Sequence, residues 1–135
     1  MPLMKWNDSF SVGVAEIDAQ HQKLVSMINE LNKAMLQAKG REALIKILDD
    51  LVSYAVDHFG TEEKYFAQFD YPFTHSHKKE HQAFVEKVAA FQKDFHSGKI
   101  GLSIEVMKFL SDWLQTHIKG TDKKYGPFFN SKGLK

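Results

Sequence analysis

Between residues 17 and 119 the apolar positions recur in alternating steps of three and four. The first run is Ile17, His21, Leu24, Ile28, Leu31, Met35. The second is Leu44, Leu48, Leu51, Ala55, His58, Glu62, Tyr65, Phe69. His77, His81, Phe84, Val88, Phe91 and Phe95 make the third. Leu102, Val106, Phe109 or Leu110, Trp113 and His117 make the fourth. A stripe with this step is the buried face of a helix packed at a shallow angle against its neighbours. Breakers fall between the stripes at Gly40, at Asp70-Tyr71-Pro72 and at SGKIG (97–101), giving four segments of roughly 20 residues.

Short connections between long helices make neighbours antiparallel. The expected fold is therefore all-α: an antiparallel up-down-up-down four-helix bundle in a single domain, 1–135. Its helices should span about 18–38, 41–67, 74–96 and 103–119, flanked by an N-terminal arm (1–16) and a C-terminal tail (120–135). Asp18 and Thr74 suit helix N-caps. Gly40 and Gly98 suit the left-handed residue after a helix. Trp6, Phe10, Val12, Val14, Phe128 and Phe129 are available to pin arm and tail to the bundle, and no proline falls inside a predicted helix.

Composition narrows the chemistry. Eighteen Lys and Arg nearly balance seventeen Asp and Glu, so nothing directs the chain to nucleic acid or to an anionic membrane. No segment has the apolar length of a signal peptide core or a membrane span, which makes the cytoplasm the expected location. Balanced charge and no obvious exposed apolar face make a monomer the default. The absence of cysteine excludes disulfides, thiolate metal sites and Cys nucleophiles, so any metal site must use His, Asp and Glu.

Six stripe positions break the apolar pattern: His21, His58, Glu62, His77, His81 and His117. Burying such groups without partners is unfavourable by several kcal/mol each. In an antiparallel bundle the start of helix one, the end of two, the start of three and the end of four share one end, so all six converge there. Asp122, just beyond an expected helix end near Gly120, can fold back over them. His75 and His96 point elsewhere and read as surface residues, and Met27, Met35 and Met107 as ordinary core.

Five imidazoles and two carboxylates are too many for one tetrahedral zinc and too nitrogen-rich for calcium or magnesium. Two first-row ions bridged by the carboxylates fit better. If both are six-coordinate, about one position in about twelve stays vacant once an oxide or hydroxide bridge is counted. That suggests a small ligand bound end-on at one ion.

The ordered set His21, HFGTE (58–62), HKKEH (77–81) and HIKGTD (117–122) resembles the hemerythrin pattern H, H-x-x-x-E, H-x-x-x-H, H-x-x-x-x-D. VGVAEIDAQHQKL (12–24) and DKKYGPF (122–128) are similar to the single-domain bacterial members, and the likeness covers essentially the whole chain. The resemblance implies a non-haem di-iron centre that binds dioxygen reversibly for storage, transport or delivery, with delivery to an oxygen-using enzyme one such role. By motif, His77, His81 and His117 would hold the saturated iron and His21 and His58 the iron with the open position. Glu62 and Asp122 would bridge the pair, together with an oxide or hydroxide. Leu24, Phe59, Trp113, Leu114 and Ile118 match the apolar lining of the family's oxygen pocket, and Tyr125 a residue around the ligands. The residues leave two other classes open: a di-iron enzyme reacting with oxygen, peroxide or nitric oxide, and an oxygen or redox sensor working through a separate partner.

Overall fold

A computed structural model describes residues 4–37, 40–98 and 104–135, without the side chains of 41, 104 and 105. Among the described residues a 3-10 turn, Asp8–Phe10, precedes five α-helices: α1 (Ala15–Leu36), α2 (Arg41–Phe69), α3 (Thr74–His96), α4 (Ile104–Thr116) and α5 (Lys123–Ser131). A π-helical segment, His117–Asp122, joins α4 to α5. The first four α-helices form the expected four-helix bundle, with α1 against α2, α2 against α3 and α1 against α4. α3 and α4 meet through aromatic side chains: Phe84 and Trp113 have ring centroids 4.3 Å apart, and Phe91 and Phe109 5.6 Å.

Several boundaries differ from expectation. α1 starts at Ala15 with Val14 as N-cap, so Asp18 is not its cap. Asp18 serves the arm instead: Oδ1 accepts the Val12 N–H at 2.8 Å and Oδ2 the Ser11 hydroxyl at 2.6 Å. Thr74 is the first residue of α3, its hydroxyl donating to the Tyr71 carbonyl at 2.6 Å. Gly40 has extended backbone (φ −61°, ψ 154°) and precedes α2, whereas Gly98 does take the left-handed conformation. α2 ends instead on Asp70 at φ 53°, a conformation that a short polar side chain tolerates.

The largest correction is at the C-terminus. The chain does not leave the helix near Gly120 but passes through the π segment into α5, which includes Pro127. The predicted helix end at Ala38, Lys99–Gly101 of the SGKIG stretch, Leu102 and the predicted helix start at Ser103 lie outside the described residues.

Most of the buried apolar residues among those described form two clusters. The larger runs down the bundle and includes Leu24, Leu51, Phe59, Phe84, Leu110, Leu114 and Ile118, with Phe10 of the arm. The smaller gathers Val12, Val14, Ile17, Phe66, Tyr71, Tyr125 and Phe129, drawn mostly from the arm, the end of α2 and α5. Gly126 of α5 lies so close to the Val12 carbonyl that a Cβ has no room. Along α1, α2 and the π segment the histidines and carboxylates sit between the residues of the two clusters. The polar layer is therefore roofed by hydrophobic packing and does not lie at an open end.

Candidate metal centre

Each polar side chain is brought inward by its helix. Four-residue spacing stacks His58 over Glu62 on α2 and His77 over His81 on α3. His117 and Asp122 are five apart, which an ordinary α-helix would splay. The wider π turn, with its i to i+5 period, returns them to one side. All seven residues are 0–3 % exposed.

Their ligating atoms fall into two groups, each drawn together within 4.8 Å. One contains Glu62, His77, His81, His117 and Asp122. The other contains His21, His58, Glu62 and Asp122. Both carboxylates are shared, and the three-histidine group offers one more donor. Asp122 faces both: Oδ1 is 2.8 Å from His77 Nε2 and 2.9 Å from His117 Nε2, while Oδ2 is 3.0 Å from His21 Nε2. Glu62 Oε1 is 3.2 Å from both His58 Nε2 and His81 Nε2. Its Oε2 accepts a hydrogen bond from the Tyr125 hydroxyl.

These approaches are close, yet among the described residues all five Nε2 atoms, Glu62 Oε1 and both Asp122 oxygens lack a hydrogen bond of acceptable geometry. Buried polar atoms are ordinarily paired. Nε2 lone pairs and carboxylate oxygens converging without hydrogen bonds are the donor set of metal ions, and these residues fit a pair of them.

The Nδ1 atoms explain why the lone pairs point inward. His58 Nδ1 donates to Gln20 Oε1 at 2.6 Å, His81 Nδ1 to Glu63 Oε2 at 2.9 Å, and His117 Nδ1 to Glu80 Oε1 at 3.0 Å. A carboxylate only accepts, so it fixes the proton on Nδ1 and leaves Nε2 free. The Gln20 amide is oriented by its own donation to Thr61, and Thr121 donates to both Glu80 oxygens. The pattern steps round the bundle: α1 holds the histidine of α2, α2 that of α3, and α3 that of the π segment. Gln20, Glu63, Glu80 and Thr121 went unrecognised in the sequence. The available signal was that each of the four adjoins a candidate ligand.

Electrostatics agree. Burial works against the charged form of Glu62 and Asp122, but the surrounding imidazoles win and hold both carboxyls below their ordinary range. Burial also opposes a charged His117, yet Asp122 and the bond to Glu80 raise it to about 10, so without a metal its Nε2 carries a second proton toward Asp122 that a bound cation would displace. Burial, then the Asp122 and Glu62 charges, push the Tyr125 phenol well up, so it stays a hydrogen-bond donor.

The five expected pocket residues lie in or against the larger apolar cluster. Phe59 stacks on His81 with centroids 3.9 Å apart, and Trp113 on His117 at 4.4 Å. Leu24, Leu114 and Ile118 are buried beside them. His75 and His96 are exposed, the latter 3.2 Å from Asp49. Met107 is buried, and Met27 and Met35 pack against the core.

The family model described as the hemerythrin HHE cation binding domain matches residues 12–129. The chain belongs to the hemerythrin family. It is 36% identical over 128 residues to a bacteriohemerythrin of Methylococcus capsulatus (strain ATCC 33009 / NCIMB 11132 / Bath), covering 94% of this chain and 97% of that one. With a bacteriohemerythrin of Stenotrophomonas maltophilia (strain R551-3) it shares 35% over 125 residues, 93% of this chain and 80% of the other. A wild-type hemerythrin crystal structure superposes with a TM-score of 0.86 at 37% identity, over 93% of this chain and 96% of that one. Hemerythrins are non-haem di-iron proteins, typically oxygen-binding, and two iron ions are the cofactor that the buried His, Glu and Asp cluster suits. Among the described residues no helix is long and apolar enough to cross a membrane.

Proposed function

We propose that this hemerythrin binds dioxygen reversibly, for storage, transport or delivery to an oxygen-using enzyme, rather than as a catalyst. His77, His81 and His117 would hold one iron, His21 and His58 the other, and Glu62 and Asp122 would bridge them. The observation that carries this reading is the inequality of the two donor groups, which share both carboxylates but differ by one histidine. The ion held by His21 and His58 would then have one protein ligand fewer than its neighbour, which would leave room there for a diatomic ligand. The iron pair, when bound, supplies the two electrons that dioxygen takes up on binding and returns on leaving.

What the chain itself does supports carriage. Locked Nδ1–H tautomers keep the Nε2 lone pairs aimed at the ions. Apolar packing above and below keeps out water and soluble reductants. Five imidazoles and two carboxylates stand where oxygen-activating bundle enzymes use four carboxylates and two histidines, so less anionic charge is available to stabilise highly oxidised iron. The test is metal content with optical spectra of the reduced, oxygenated and re-degassed protein. Two irons per chain and a spectral change that reverses on degassing are expected. Failure of the reduced, iron-loaded protein to respond reversibly to oxygen sinks the reading.

A further inference from the structure

The hydrogen bonds behind the histidines are not evenly charged. In the three-histidine group, His81 and His117 each donate Nδ1–H to a glutamate, Glu63 and Glu80. In the two-histidine group, His58 donates to the neutral amide of Gln20, and the buried His21 Nδ1 has no hydrogen-bond partner among the described residues. Both glutamates are anchored. Thr121 holds both oxygens of Glu80 at 2.8 and 3.1 Å, and Lys78 stands 3.9 Å from Glu63 Oε1, from a position 54% exposed.

A carboxylate accepting from Nδ1 draws the proton toward itself and leaves Nε2 more electron-rich. A neutral amide does this less, and an unpartnered Nδ1 not at all. Two of the three imidazoles in the larger group, His81 and His117, are thus stronger donors than His21 and His58.

Resting on the di-iron reading, we propose that Glu63 and Glu80 are positioning residues that make the two sites unequal in affinity. The His77, His81 and His117 site fills first and holds its ion more tightly. The His21 and His58 site, backed by Gln20 alone, is the weaker one. The second ion's affinity then decides whether the chain carries a complete pair.

The experiment is an anaerobic Co²⁺ titration of the full-length metal-free protein against a competing chelator. Circular dichroism is used to check that each variant is folded. Wild type should bind two ions in separated steps. E63Q and E80Q should each weaken the tighter step by roughly 10–100-fold, the usual effect of losing such a partner, and leave the weaker step in place. Q20E should strengthen the weaker step, a gain that a merely structural role would not produce. Two equal steps in wild type, or both steps falling together in the glutamine variants, would overturn the inference while leaving the two-ion site intact. Binding of fewer than two ions by wild type would remove the di-iron reading itself, and this inference with it.

Discussion

His117 and Asp122 lie five residues apart on one side of a helical segment, with Nε2 2.9 Å from Oδ1. The π turn makes that possible. Deleting Lys119 should convert it to an ordinary α turn and rotate everything beyond by about 100°. Asp122 would leave the cluster, and metal content measured by elemental analysis should fall below two ions per chain. Helicity by circular dichroism should be largely kept, because α1, α2 and α3 do not depend on that turn.

The metal-free protein should depend on pH in a definite sense. His117 has its folded pKa raised to about 10, so its contribution to stability is complete below about 6.5 and is lost as pH climbs toward 10. Glu62 and Asp122 have lowered values, so theirs is complete above about 4.5 and is lost as acid protonates them. The apo-protein should therefore be most stable between about pH 4.5 and 6.5. Iron binding requires His117 without its extra proton, so the advantage of the loaded form should widen from pH 6 to 9. Urea denaturation of both forms across this range is the check.

Tyr125 donates to Glu62 Oε2 inside a fully buried site. Tyr125→Phe keeps the ring but leaves a buried charged oxygen without that donor. The metal-free protein should lose roughly 1.5–3 kcal/mol. The iron-loaded protein should lose less, since the cations also neutralise that carboxylate. Chemical denaturation curves for the two forms distinguish these outcomes.

Phe59 stacks on His81 and also touches Phe84 and Trp113. Phe59→Ala should cost about 3–5 kcal/mol as a buried aromatic truncation. It also opens space beside the ligands, so the reduced protein should oxidise faster in air. A variant as slow to oxidise as wild type would show that Phe59 serves packing alone.

Much of this was legible because burial and chemistry leave the same mark. A histidine where leucine belongs, as at His21 or His81, shows itself against a regular apolar stripe. The bundle and the meeting of the six stripe residues could be read that way, whereas Asp122 lies outside the stripes and was placed only by its distance beyond His117. What could not be read came from two physical sources. Helix ends depend on small balances: Asp18 looks like a cap but answers the arm's Val12 and Ser11. Residues that support ligands from the next helix carry no periodic signature. Glu80 looks like any surface glutamate until α3 and the π segment are side by side. Gly120 misled as well, since glycine usually ends helices, but here it sits within the π turn.

Gly126 and Val12 offer a different test. Gly126→Ala would force the arm off α5, costing about 1–3 kcal/mol and exposing residues 7–13 to proteolysis. Limited digestion followed by mass spectrometry reads this directly.

That crossing reaches beyond local fit. The strand of arm resting on Gly126 runs straight into the first turn of α1, and His21 sits little more than one turn further along. The gauge between the two backbones is set by one hydrogen atom where other residues carry a carbon, and the arm it seats leads into the helix that bears His21. A wedge at position 126 would be felt as a change in bite at a cation it never touches.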